Sequence, residues 1–319
     1  MRLKLVPKNT SWNFFSRSKL WISISIILVV LSLISFFVQN LNFGIDFRGG
    51  TSIRTESSEP VNVAAYRNAL SSLDLGDITI SEVFDPNFED DQNVAMIRIQ
   101  AQPGQEAATS KLVEDSLQKL KGVSKDIKFV SVESVGPKVS GELIRTAIIA
   151  VILAISAVLF YIWIRFEWQF AVGAISALIH DVILTIGIFS LLQIKFDLAI
   201  IAAILTIVGY SLNDTVVVFD RVRENLRKFK KRSLIEVMNL SINETMSRTV
   251  MTSVTTLLAL ISLFVLGGDV IRGFVFAMIW GVVVGTYSSI FIASAILLWT
   301  GVKRDWTKPN AEAGTQVPQ

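Results

Sequence analysis

Cysteine is absent from the 319 residues, which excludes disulfides, thiolate-held metals and cysteine nucleophiles. A single histidine, His180, excludes every site that needs two imidazoles. No glycine-rich phosphate loop with a following lysine occurs, so nucleotide hydrolysis has no cradle. Charge is scarce as well, 18% of residues against 51% hydrophobic. With a mean hydropathy of +0.54, this points to a polytopic membrane protein. The net charge of +3 matters less than where the charges lie.

The N-terminal stretch 1–19 carries Arg2, Lys4, Lys8, Arg17 and Lys19 and no acid, with Trp12, Phe14 and Phe15 suited to a membrane interface. The apolar run that follows defines a first transmembrane helix over 20–39, about the length a bilayer requires. A signal peptide would carry a shorter apolar core ending in small residues. Here Phe36-Phe37-Val38-Gln39 follows, which favours an uncleaved helix. Residues 143–300 supply five more spans, at 143–164, 168–192, 198–220, 249–266 and 273–300. A basic linker over 221–247 separates the fourth span from the fifth, and 301–319 form a tail. Counting six crossings from a cytoplasmic N-terminus puts the linker and the tail in the cytoplasm too. The linker segment holds Arg221, Arg223, Arg227, Lys228, Lys230, Lys231 and Arg232, and the tail Lys303, Arg304 and Lys308. The outer turns hold only Lys195 and Arg272, so the cationic bias agrees with the count. Ser233 and Glu236 have capping-box spacing, which predicts a short amphipathic helix along the membrane face before the fifth span.

The polar insert 40–142 then lies outside. Strands are expected at 51–55, 78–84, 94–100 and 127–135, and helices at 60–73, with Pro60 in the first turn, and at 105–120. The link Asp85-Pro86-Asn87 is turn chemistry. The order β-α-β-β-α-β is that of a small α+β, ferredoxin-like domain.

Polar residues inside the spans are the candidate site. Thr206, Tyr210 and Asp214 recur at every fourth position of the fourth span, with Asn213 beside them. A carboxylate at that depth costs roughly 2.5–3.5 kcal/mol on insertion scales. Arg248 opens the fifth span, with Thr252 on its face, at a depth matching Asp214. The two are expected to pair. The pair is either a proton-coupling site or a static salt bridge that fixes helix geometry. In the third span His180 and Asp181 are adjacent and should point to different faces, His180 toward Ser176 and Asp181 toward Thr185. Proton relay and helix-to-helix hydrogen bonding are both open to them. An intramembrane aspartyl protease would need Gly-x-Gly-Asp, and the sequence here is Gly209-Tyr210-Ser211-Leu212-Asn213-Asp214. No enzyme activity, metal or cofactor is expected. Gly273, Ala277, Gly281, Gly285, Ser289 and Ala293 form a small-residue ridge along the last span, a seam for another helix within the chain or in a partner.

Several ordered motifs carry a resemblance over about residues 12–305: Phe43-Gly44-Ile45-Asp46-Phe47-Arg48-Gly49-Gly50-Thr51, Val135-Gly136-Pro137-Lys138-Val139, Arg165-Phe166-Glu167-Trp168, Ala177-Leu178-Ile179-His180-Asp181, residues 209–215, and Phe219-Asp220-Arg221-Val222-Arg223-Glu224-Asn225. The sequence resembles the SecF family, subunits of the SecD–SecF accessory complex of protein translocation within the resistance-nodulation-division superfamily. The resemblance implies a periplasmic ferredoxin-like domain between helices 1 and 2, and six helices that form half of a twelve-helix unit completed by SecD. It implies use of the proton-motive force to draw secreted, unfolded chains outward across the inner membrane after SecA and the SecYEG channel have started them. YajC and YidC are implied as further partners. It assigns proton coupling to Asp214 and Arg248, and a family motif to Gly44, Asp46, Phe47, Gly49 and Gly50. A non-transporting scaffold for the translocon is the alternative. Export of small apolar compounds fits less well, because the external domain of such exporters is usually larger.

Overall fold

The computed structural model describes residues 10–73, 75, 78–83, 85, 88–89, 91–100 and 109–302. Among these, six helices are long and apolar enough to cross a membrane. The first, α1 (Ser18–Gln39), inverts the pattern of a soluble helix. Its buried residues are Ser25 and Ser35, while Ile26, Leu31 and Phe37 face outward. Lipid is as apolar as leucine, so small and hydroxylic residues go to the helix contacts. Ser35 Oγ bonds Ser190 Oγ at 3.1 Å, and Gly187 lies where a methyl group would be 2.2 Å from Ser32. Before α1, Asn13 caps a short 3₁₀ turn, Phe14–Arg17. Asn239 and Asn243 of a later helix accept the backbone N–H groups of Phe14 and Trp12.

A one-turn helix α2 (Ile45–Arg48) leads into the sheet domain. There β1 (Gly50–Ser57), α3 (Val63–Leu70), β2 (Ile78–Val83), β3 (Asn93–Gln100), α4 (Thr109–Leu120) and β4 (Lys128–Val135) follow in order. The strands are antiparallel in the order β2-β3-β1-β4, as a split β-α-β unit requires. Ile53 pairs with Ile97 and Val132 at the centre of the sheet. Tyr66, Leu70 and Leu120 of the helices close over one face of it. One boundary differs from expectation: Asn62, not Pro60, starts α3, because its carboxamide accepts the Ala65 N–H at 3.0 Å. The expected helix start at 105–108, Phe84, the turn residues Pro86 and Asn87, and the tail cations Lys303, Arg304 and Lys308 lie outside the described residues.

The remaining spans are α5 (Pro137–Arg165), α6 (Trp168–Leu192), α7 (Leu198–Lys228), α8 (Leu234–Leu266) and a last crossing of α9 (Gly268–Ser288), a π-turn (Ser289–Ala293) and α10 (Ser294–Thr300). Pro137 stands at the first position of α5, where a missing N–H costs nothing. The stretch expected as a linker at 221–247 is mostly helix. α7 continues to Lys228, α8 already starts at Leu234, and residues 229–233 turn between them. At 31 residues, α7 is about 46 Å long, well beyond the roughly 30 Å of the hydrocarbon core. The two charged arms zip together outside it, through Arg221 Nε to Glu244 Oε2 at 2.7 Å and Asn225 Nδ2 to Glu244 at 2.6 Å and Ser241 at 3.0 Å. The Ser233–Glu236 capping box is present, but it opens the fifth span itself rather than a separate surface helix.

Candidate functional site

The densest polar centre inside the helices is built around Asp181 on α6. Its carboxylate, 1% exposed, accepts Ser211 Oγ of α7 at 2.7 Å and Ser288 Oγ of α9 at 2.8 Å. His180 Nδ1 lies 3.0 Å from the other carboxylate oxygen. The expectation that adjacent residues cannot join one site is therefore wrong. Rotation about the two side-chain torsions of each residue can bridge the angle of about 100° between helix neighbours, and here the His180 ring and the Asp181 carboxylate meet. Ser176 does not reach His180; it donates to Val172 O at 2.9 Å. Thr185 does bond to Asp181, at its backbone carbonyl, 2.7 Å. The centre continues outward: the His180 ring stands 6.2 Å from that of Tyr287, whose hydroxyl donates to Trp21 O and meets Ser25 Oγ at 2.8 Å. Four helices thus meet through one buried carboxylate and its neighbours.

Asp214 and Arg248 lie at matched depth, each fourteen residues from the end of its helix on the side of the chain termini. They form no ion pair in this structure. Matched depth does not fix rotation about the helix axis. Asp214 turns inward and is 2% exposed, whereas Arg248 is exposed and its neighbours Thr245, Thr249 and Ser253 supply the buried face of α8. Asp214 Oδ2, Tyr210 Oη and Thr249 Oγ1 are all buried and make no hydrogen bond within the described chain. Buried polar atoms are paired in the great majority of cases, which sets these three on α7 and α8 apart from most of their neighbours. Of the other expected members, Thr206 is exposed and bonds back to Ala202 O, Asn213 is exposed, and Thr252 bonds to Thr249 O.

The small-residue ridge is the seam between α9 and α7. A methyl group at Gly281 would lie 2.3 Å from Ile207 and one at Gly285 3.0 Å from Ser211, and Ser289 Oγ meets Thr215 Oγ1 at 3.0 Å. The ridge then runs through the π-turn, where Ser294 Oγ reaches back to Ser289 O at 3.2 Å. Such turns insert one residue into a helix and gather at functional sites. Nothing in the strict four-residue spacing signals it. It follows directly after Ser288, the donor to Asp181.

At the domain end the motif after α1 forms a clamp. Gly44 N–H donates to Phe196 O and Phe196 N–H to Asn42 O, both at 2.8 Å, and the rings of Phe43, Phe47 and Phe196 pack edge to face or tilted. Asp46 Oδ2 accepts the Leu198 N–H at 3.1 Å, so a carboxylate sits at the positive end of α7. Gly49 and Gly50 have φ of +71° and +131°, which only glycine adopts without strain, and they turn the chain into β1. The clamp ties the sheet domain to the helix that carries Asp214.

A helical membrane unit with buried acids at helix junctions and a sheet domain clamped to one of those helices has the build of a transport component. A family model described as "Protein export membrane protein SecD/SecF, C-terminal" matches residues 115–303, and the "SecD/SecF GG Motif" matches residues 34–61. The protein translocase subunit SecF of Cereibacter sphaeroides is 59% identical over 99% of this chain and 97% of its own length. That of Rhodobacter capsulatus is 56% identical over 97% and 95%. The solved structure of SecDF from Thermus thermophilus superposes with a TM-score of 0.81 at 34% identity, covering 94% of this chain and 40% of the longer one. The chain belongs to the SecD/SecF family of protein-export membrane proteins, on the side of the SecF subunits of the Sec translocase. It is a multi-pass protein of the inner membrane.

Proposed function

We propose that the chain works with a SecD subunit as one half of a twelve-helix unit. The unit uses the proton-motive force to move exported protein outward once SecA and SecYEG have begun translocation. The single observation that carries this is the orphaned Asp214 carboxylate oxygen, buried on α7 one turn after Tyr210, whose hydroxyl is equally unpartnered. A carboxylate that is only structural would be fully paired; one that takes up and releases a proton needs an unoccupied lone pair. Arg248, at the same depth and exposed, is the charge that meets Asp214 when the helices rearrange, and the Asp214–Arg248 pair forms in one state of the cycle rather than in all. Each proton falling through 100 mV supplies about 2.3 kcal/mol, enough to shift a helix arrangement. The Asp46 clamp passes that movement from α7 to the sheet domain, which delivers it to the client chain.

That the solved SecDF chain is two and a half times as long as the matched part supports a partner of comparable size, and SecD is that partner. YajC and YidC are further neighbours on the strength of the family. The cationic side, from Arg221 to Arg232, is cytoplasmic with both termini, and the sheet domain is periplasmic. The chain is a transport component, not an enzyme. The test is export of a precursor into inverted vesicles with and without an uncoupler. Asp214→Asn should keep assembly with SecD and abolish the uncoupler-sensitive increment. Full retention of that increment would sink the reading and leave a scaffold role.

A further inference from the structure

A groove of about 430 Å³ opens between α5, the start of α7 and the clamp, lined by Phe47, Ile144, Ile148, Ile152 and Ile201 among others, with Arg48 the one charged lining residue among the described residues. Ile148 and Ile152 line it while remaining 55% and 58% exposed on the outer surface of the bundle, so the groove is open sideways to the membrane. From Ile144 to Ile152 it runs eight residues along α5, about 12 Å, from the domain end toward mid-bilayer. Arg48 is exposed at the domain end; its backbone N–H donates to Gly44 O, and its guanidinium makes no hydrogen bond or ion pair among the described residues. Its neighbour Asp46 is already committed to Leu198 N–H.

We propose that this groove binds an anionic phospholipid of the leaflet on the domain side, its phosphodiester on Arg48 and one acyl chain along α5. An acyl chain gains no hydrophobic free energy by leaving other acyl chains, so apolar lining alone cannot select it. Selection rests on the guanidinium, whose planar fork pairs with phosphate oxygens. A zwitterionic headgroup brings its own ammonium to that phosphate, whereas phosphatidylglycerol does not. The groove therefore selects net negative charge. Because Phe47 and Phe196 form its wall and also belong to the clamp, a bound lipid stiffens the joint between sheet domain and helices.

The experiment uses the chain purified with its SecD partner, exchanged into equal phosphatidylglycerol and phosphatidylethanolamine, with retained lipid read by native mass spectrometry. Wild type should retain phosphatidylglycerol about fivefold over phosphatidylethanolamine, the order expected of one charge-assisted contact. Arg48→Gln should bring that ratio to near one. Ala147→Phe, which fills the groove from α5, should remove the retained lipid of both kinds. Ile152→Trp does the same from an exposed position that folding does not depend on. An unchanged ratio in Arg48→Gln, or wild-type retention in both filling variants, would overturn the proposal. So would retention by the lone chain that disappears when SecD is present, since a SecD segment would then be the occupant.

Discussion

Gly281→Ala tests the seam on which the whole polar centre depends. The added methyl would lie 2.3 Å from Ile207 Cγ1, 2.4 Å from Cδ1 and 2.8 Å from Cγ2. Carbon atoms pack at about 3.5–4.0 Å, so the shortfall exceeds about 1 Å against two of these atoms and is about 0.7 Å or more against the third. Ile207 is 2% exposed and branched at Cβ, so it has no free rotamer to turn into. The helices must part, and overpacking of this kind costs about 1–3 kcal/mol. The upper end applies, because parting α7 from α9 also stretches Ser211 and Ser288 away from Asp181 and Ser289 from Thr215. Alanine returns up to about 1 kcal/mol in helix propensity, leaving a net loss of about 2 kcal/mol. Gly209→Ala on α7 is the control: nothing lies within 4 Å of its added methyl, so it should be neutral or slightly stabilising. Ile207→Ala alone should cost about 2–5 kcal/mol by leaving a cavity. Combined with Gly281→Ala it should cost clearly less than the two added together, a coupling of about 2 kcal/mol. Unfolding of the detergent-solubilised protein measures all four variants. A Gly281→Ala protein as stable as wild type, or strictly additive effects, would refute the seam.

Ser211→Ala and Ser288→Ala should each destabilise by about 1–2 kcal/mol in the same unfolding assay, because each strips a donor from a buried carboxylate. Thr206→Ala, whose hydroxyl is exposed and bonds within its own helix, should change little. In the sheet domain, Asp126 takes hydroxyl donors from Ser124, Ser58 and Ser57 and the Ser58 N–H, which hold its carboxyl well below the usual 3.8. Because the folded value is depressed, its contribution is complete above that ordinary value and fades as pH falls below it. Amide protection factors at β1 and β4, corrected for the intrinsic exchange rate, should therefore fall in wild type below about pH 4 and be already lowered, without that dependence, in Asp126→Ala. Single cysteines at Ser71 and Ser233 check the orientation: an impermeant thiol reagent on spheroplasts should label the first and not the second, and the reverse pattern would invert the topology.

What the sequence determined by itself follows from local rules. Six apolar runs of bilayer length leave few alternatives to six helices, since lipid offers no partner to an unpaired backbone. Alternation at 78–84 and 94–100 and the β-α-β-β-α-β order define a split sheet, because side-chain direction in a strand depends only on the next residue but one. Gly49 and Gly50 stood in the sequence only as part of a family motif; that they turn the chain into β1 at positive φ came from the structure. The capping box at Ser233 is legible too, but not what it caps. Whether a charged arm continues a helix beyond the membrane depended on Glu244 meeting Arg221 and Asn225 across the turn. The site shows the same division. Sequence placed Asp214, Arg248, His180 and Asp181 at depth, since depth is a count of residues along an axis. It could not place them in azimuth, which is set by which faces of α6, α7 and α9 pack. That choice rests on Gly281 admitting Ile207 and on the π-turn after Ser288. Only the tertiary structure could make Asp181, rather than the expected Asp–Arg pair, the point where the helices meet.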